Sequence, residues 1–278
     1  MRDKDGKAFS DASLLLAEDD PLNADIASRT LRKLGCRVVV ASDGLAATRM
    51  WEDGDFDLIL MDCEMAEMDG FEASRRIRER EKQSNRRHTP IVALSAHAPA
   101  EIRERCIAAG MDEVLAKPFR EALLKDTLRS LIAGENPSLR EDSEHEPASE
   151  ADPTMPVDRS VLDGVSAFQG GNGQLLLRNI VARFADTART QLSLLRKSQS
   201  DGASEDIRRI AHTLKSSSAA LGAKCVSRCC AEIELRAAQG ELAPLPAFFS
   251  ALERELSAAI SQLREIAAER EELHRAAG

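Results

Sequence analysis

Two kinds of hydrophobic patterning divide this chain. In its first half, short apolar runs rich in Val, Leu and Ile (SLLLA, CRVVVA, DLILM, PIVALS and EVLA) alternate with segments whose apolar residues recur every three to four positions. Those segments are PLNADIASRTLRKLG, GLAATRMWE, GFEASRRIRER, PAEIRERCIAAG and EALLKDTLRSLIAG. Five repeats of strand then helix predict a parallel sheet with helices on both faces. In the second half only the helical period persists. A short opening helix is expected in VDRSVLDGVSAF, followed by helices over about 173–198, 204–221, 223–239 and from 243 to the C-terminal end, with Gly222 and Gly240 at helix ends. Four helices with short connections predict an antiparallel bundle.

Between the two patterns lies ENPSLREDSEHEPASEADPTMP, residues 135–156, rich in Pro, Ser and acid. Such a stretch cannot bury enough apolar surface to offset the entropy of ordering it, and its like charges repel, so a flexible acidic linker is expected. The organisation expected is an α/β domain over 12–134, the linker over 135–156 and an all-α domain over 157–278.

Composition narrows the function classes. A chain of 278 residues with 43% hydrophobic residues has the length and apolar content for two domains with their own cores. A net charge of -9 and a pI near 5.3 argue against a broad nucleic-acid surface, because phosphate backbones are bound by clustered Lys and Arg. No apolar run approaches the roughly 20 residues of a membrane span, and the start, MRDKDGKAFSDA, lacks the apolar stretch of a signal peptide. A cytoplasmic protein is expected. The six cysteines show no Cys-x-x-Cys pairing, and Cys225 and Cys229 have no nearby histidine, so small buried thiols are expected in place of a zinc site or a disulfide framework.

In open parallel sheets ligands bind beyond the carboxyl ends of the strands. The residues at those ends are Glu18, Asp19 and Asp20 after the first strand, Asp62 after the third, Ser95 after the fourth and Lys117 after the fifth. Carboxylates brought together repel one another or demand a cation, and oxygen ligands suit a hard ion such as Mg²⁺. With Asp62 as nucleophile, Mg²⁺, Lys117 and the Ser95 hydroxyl would neutralise the oxygens of an arriving phosphoryl group. Each acid has a plainer reading as well: Asp19 or Asp20, just before Pro21, suits a helix N-cap.

LLLAEDDPLN, LILMDCEMAEMDGFEA, IVALSAHA and GMDEVLAKPF together resemble the signatures of the receiver domain of bacterial response regulators, over roughly residues 12–134. The resemblance implies a flavodoxin-like fold with five parallel strands. It makes Asp62 the phosphoacceptor, Asp19 a direct Mg²⁺ ligand, Glu18 a ligand through water and the backbone carbonyl of Glu64 a further ligand. It puts Ser95 and Lys117 against the phosphoryl oxygens, with Pro118 following by a cis bond. Val114 stands where many receivers carry a Tyr or Phe that swings inward on phosphorylation, which points to a transfer station more than a conformational actuator.

In IRRIAHTLKSSSAALGA, residues Ile207, Ile210, Ala211, Leu214, Ser218 and Leu221 form the buried stripe of an amphipathic helix, and His212 lies off it. Lys215 is one turn further on, followed by Ser216, Ser217 and Ser218. AHTLKSSSAALGA resembles the active helix of histidine phosphotransfer domains, which implies that His212 carries the phosphoryl group. An imidazole nitrogen can attack an aspartyl phosphate, Lys215 can steady the added charge, and small side chains at Ser216 and Ser217 would admit a partner receiver. Arg208 and Arg209 either meet the acidic rim of that partner or form an ordinary solvated face.

The function expected is that of a phosphorelay intermediate. A histidine kinase stands upstream of Asp62, and a response-regulator receiver downstream exchanges phosphoryl with His212. No Gly-rich ATP-binding motif of a kinase is present. Two alternatives stand beside it: an adaptor or phosphate sink that binds a kinase or regulator without forward relay, and a phosphatase, since Asp62-Cys63-Glu64 is similar to the nucleophile motif of haloacid dehalogenase phosphatases, which carries Asp where this chain has Glu64.

Overall fold

A computed structural model describes residues 9, 11–95, 100–117, 121–132, 156–159, 161, 162 and 173–277. The chain divides into two compact units, Met1–Glu144 and His145–Gly278. Residues 135–155 of the expected linker, together with Pro118, lie outside the described residues.

The first unit alternates strand and helix as expected: β1 (Ser13–Ala17), α1 (Pro21–Lys33), β2 (Arg37–Ala41), α2 (Gly44–Asp53), β3 (Leu58–Asp62), α3 (Gly70–Ser84), β4 (Ile91–Ser95), α4 (Ala100–Ala108), β5 (Glu113–Ala116) and α5 (Glu121–Ile132). All strand pairings are parallel, in the order β2-β1-β3-β4-β5. This is the flavodoxin-like doubly wound sheet. Alternation along the strands separates two cores. Leu14, Leu16, Leu58, Leu60, Val92 and Leu94 face Leu31, Leu124 and Leu128 of α1 and α5. Leu15, Ile59, Met61, Ile91 and Ala93 face Trp51, Phe71, Ile77 and Cys106 of α2, α3 and α4. Central β3 and β4 are buried at every position, hence their unbroken apolar runs.

Strand order reverses between β1 and β3, and there the carboxyl ends of both open a crevice for a ligand. The helix starts beside it are set locally. Asp20 caps α1, accepting from the N–H groups of Leu22 at 2.7 Å and Asn23 at 2.9 Å, with Pro21 opening the helix. Asp43 and Asp69 cap α2 and α3 in the same way. A Cβ on Gly70 would lie 2.1 Å from the Asp62 carbonyl oxygen, so only glycine lets α3 begin this close to the end of β3.

The described part of the second unit has no strand and is built on four long helices, α6 (Gly173–Ser200), α7 (Ser204–Ala220), α8 (Lys224–Ala238) and α9 (Leu245–Ala277). Of the expected opening helix, Arg159, Val161 and Leu162 are helical, and 163–172 lie outside the described residues. Each long helix neighbours two others, α6 against α7 and α9, and α8 against α7 and α9, with connections short enough to force antiparallel neighbours. Their shared core is built at helical spacing from Ile180, Phe184, Ala188 and Leu195, from Ile207, Ala211 and Leu214, from Val226, Cys230 and Ile233, and from Phe249, Leu252, Leu256 and Leu263. Gly222 ends the α7 hairpin at φ +73°, and a Cβ there would come within 2.5 Å of the Asp158 carbonyl oxygen. Asp158 donates its N–H to Gly222 O at 2.8 Å and pairs with Lys224 at 2.7 Å, tying the segment before the bundle to the α7–α8 turn.

Candidate phosphoryl-transfer sites

Four strand ends converge in the first unit. Glu18 follows β1, Asp62 ends β3, Ser95 ends β4 and Lys117 follows β5. The Lys117 ammonium donates to Glu18 Oε2 and to Asp62 Oδ2, both at 2.6 Å. The Lys117 main-chain N–H meanwhile bonds Ser95 O at 2.6 Å, fixing the end of β5 to the end of β4. Glu18, Asp62 and Ser95 are all buried. Asp19 turns the other way from Asp20: its Oδ2 accepts from the Ala66 N–H at 3.1 Å. The loop after β3 folds back over the site, and the Glu64 N–H donates to Asp62 Oδ1 at 3.3 Å. Carboxylate oxygens of Glu18, Asp19 and Asp62 lie within 4.8 Å of one another.

Electrostatics make this cluster short of positive charge. Burial pushes the Glu18 carboxyl up to about 8, with Lys117 pulling it down and Asp62 pushing it further up. Burial raises Asp19 as well, against the Ala66 hydrogen bond that lowers it. Burial by itself would lower the Lys117 ammonium, yet Asp62 and Glu18 outweigh it and hold the proton more firmly than usual. With all three carboxylates ionised, one cation would face three negative charges, and the donors are all hard oxygens. A divalent ion of the magnesium class fits that set.

Two expectations are refined here. Of the two acids that suited an N-cap, Asp20 is the cap and Asp19 faces the cluster. Asn23, which sequence reasoning passed over, donates from Nδ2 to Glu18 Oε1 at 3.3 Å, and only the first turn of α1 brings it there. Val114 lies buried in β5 within the core under α2–α4, so no aromatic ring occupies that position.

In the second unit His212 and Lys215 lie one turn apart on α7, and α8 supplies what the motif does not contain. Glu234 Oε1 is 2.8 Å from His212 Nδ1, and its Oε2 accepts from Lys215 Nζ at 2.6 Å. Burial would raise the Glu234 carboxyl, but the His212 hydrogen bond and charge, with those of Lys215, prevail and draw it down to about 2. The signal for Glu234 in the sequence is only an acid beside the apolar stripe of Cys230, Ile233 and Ala237.

The surroundings of His212 differ from expectation. The residue is only 9% exposed, because α8 packs against that side of α7 and brings Glu234 to the ring. Ser216, Ser217 and Ser218 are buried and do not form an opening. Ser217 Oγ donates to Thr213 O and Ser218 Oγ to Leu214 O, so these hydroxyls are satisfied by the helix's own carbonyls and their small size serves packing. Arg208 and Arg209 pair with Glu205 and Asp206 of the same helix.

Comparison with known proteins bears on each unit separately. The response regulator receiver domain profile matches residues 14–129, and the Hpt domain profile matches residues 179–275. The chain is 40% identical over 115 residues to hybrid signal transduction histidine kinase B of Dictyostelium discoideum, a match covering 38% of this chain and 6% of that protein. It is 39% identical over 111 residues to the sensor protein GacS of Pseudomonas syringae pv. syringae, covering 40% of this chain and 12% of that protein. The chain thus spans a small part of the length of these relatives. With Arabidopsis thaliana also represented, the likeness is not confined to bacteria. A solved receiver domain of a sensor histidine kinase from Pseudomonas aeruginosa PAO1, with magnesium in its active site cleft, shares 42% identity with a TM-score of 0.41, over 45% of this chain and 99% of that one. The chain thus carries a response regulator receiver domain over residues 14–129 followed by an Hpt domain over residues 179–275, in that order in one polypeptide.

Proposed function

We propose that this chain is a phosphorelay intermediate in which Asp62 accepts a phosphoryl group from a histidine kinase and His212 carries phosphoryl to or from a receiver aspartate. The observation that carries the reading is the Glu234 clamp on His212 and Lys215, because a receiver by itself would end a signalling chain and a positioned histidine extends it. The partners are a histidine or hybrid kinase upstream and a response-regulator receiver downstream. No described helix is long and apolar enough to cross a membrane, and we place the chain in the cytosol.

At the first site an Asp62 oxygen attacks phosphorus while the donor imidazole leaves. Lys117 then loses the charge of one carboxylate partner as the acyl phosphate forms and gains phosphoryl oxygens in its place, with the Ser95 hydroxyl at the end of β4 as a further donor. Glu18, Asp19, Asp62 and the Glu64 carbonyl would hold Mg²⁺, which supplies charge neutralisation for the phosphoryl oxygens. At the second site Glu234 accepts the Nδ1 proton of His212, which makes Nε2 the attacking nitrogen. As Nε2 bonds to phosphorus the ring becomes cationic, and the Glu234 carboxylate stabilises that charge while Lys215 faces the phosphoryl group.

The test is transfer of label from a small acyl phosphate with Mg²⁺, or from a phosphorylated kinase, into the full chain and into Asp62→Ala and His212→Ala. Aspartyl phosphate is base-labile and phosphohistidine acid-labile, so the two linkages are told apart. Label at both residues is expected, and no label from either donor would sink the reading.

A further inference from the structure

Cys63 and Cys106 place two thiols 3.8 Å apart beneath the phosphoacceptor end of β3, and both are buried. Cys63 follows Asp62 directly. Its N–H donates to Leu94 O at 3.0 Å and its carbonyl accepts from the Gly70 N–H at 3.1 Å, so a pull on its sulfur acts on a backbone that also carries Asp62. Across the gap, α4 has nine residues, of which Cys106 alone is buried, with Ile102 partly buried against the same core. A helix anchored by so few apolar side chains belongs to the low end of local stability and opens without global unfolding, which lets a small oxidant reach the pair.

We propose that Cys63 and Cys106 form a redox modification site, at which a peroxide converts the pair to a disulfide that draws α4 toward β3 and slows phosphoryl acceptance at Asp62. The gating half of this proposal rests on the reading of Asp62 as phosphoacceptor; the bond itself does not. One sulfur attacks the peroxide O–O bond, becoming a sulfenic acid and releasing water. The second sulfur then displaces the sulfenic oxygen as water, so that two thiols and one hydrogen peroxide yield one disulfide and two waters. Closing the 3.8 Å gap to a bond of about 2.05 Å moves α4, the end of β3, or both. In-line transfer tolerates little misplacement of its nucleophile.

The full chain, reduced and then treated with hydrogen peroxide, is mapped by non-reducing peptide analysis and by thiol titration in denaturant, and Asp62 labelling by a small acyl phosphate with Mg²⁺ is followed in parallel. The expected result is a Cys63–Cys106 linked peptide and two fewer thiols than the six of the reduced chain. Labelling of Asp62 slows by about tenfold or more and is restored by dithiothreitol. In Cys106→Ala, and in Cys63→Ala as a second route should the first loosen α4, the labelling rate is the same before and after peroxide. Absence of the linked peptide overturns the site, and a linked peptide with an unchanged labelling rate overturns the gate. A reduced chain that takes no label at Asp62 overturns the phosphoacceptor reading instead, while the peptide map still decides the disulfide.

Discussion

Glu234 holds His212 and Lys215 at once, its two carboxylate oxygens 2.8 Å from the imidazole Nδ1 and 2.6 Å from the ammonium. The arrangement selects a ring tautomer, orients the ring, and holds the Lys215 ammonium on the same carboxylate. Glu234 is a positioning residue. Glu234→Ala is expected to slow transfer between His212 and a phosphorylated receiver by roughly ten- to a hundredfold, the worth of a hydrogen bond to a charged group. Glu234→Gln keeps an acceptor for Nδ1 and should recover part of that loss. Single-turnover transfer measures both, and equal rates for the two variants would remove the orienting role.

The same carboxylate makes the helical unit acid-sensitive. Its folded value near 2 lies below the ordinary 4.5, so its stabilisation is fully present above about pH 4.5 and is lost as pH falls toward 2. The amount is on the order of 2 kcal/mol once solvent around the partly buried pair is allowed for. Trp51, the chain's single tryptophan, lies in the first unit, so the helical unit is followed by circular dichroism in denaturant between pH 7 and 2.5. Glu234→Gln should flatten this dependence.

Lys117 pairs with two buried acids, and its removal leaves both without a cation. Lys117→Ala is expected to destabilise the first unit by about 3–5 kcal/mol without divalent cation, and to slow Asp62 labelling sharply. Denaturant unfolding followed by Trp51 fluorescence measures the first effect. A variant as stable as the parent would mean that Glu18 and Asp62 do not depend on this ion pair.

Asp19 and Asp20 are adjacent and have separate jobs. Asp20→Ala should cost about 1 kcal/mol by loss of the α1 cap while Mg²⁺ still raises the melting temperature of the first unit. Asp19→Asn should leave the cap intact and abolish that Mg²⁺ response. Thermal melts with and without the ion check the pair, and a swapped outcome would reverse the assignment.

Gly70→Ala adds one carbon 2.1 Å from the Asp62 carbonyl oxygen, where something must shift. The start of α3 or the end of β3 moves, with an expected cost of about 1–3 kcal/mol and slower labelling of Asp62. Denaturant unfolding and labelling kinetics read the two effects.

Local features of the chain carried most of this protein. Alternation of short apolar runs with helical periodicity set the order of strands and helices. Because open parallel sheets gather ligands at strand ends, Glu18, Asp62, Ser95 and Lys117 are legible as one set in the sequence alone. The burial stripe of α7 was equally plain, since a period of 3.6 is a property of neighbouring residues. Three things were decided only by tertiary structure. Which of Asp19 and Asp20 caps α1 depends on where the β3 loop offers the Ala66 N–H. Glu234 reaches His212 across 22 positions of sequence because α8 returns along α7, and no local pattern encodes which acid a returning helix presents. The sulfurs of Cys63 and Cys106 meet because sheet and helix pack there. Periodicity states which face of an element is buried, and the partner on that face is fixed by how separate elements dock.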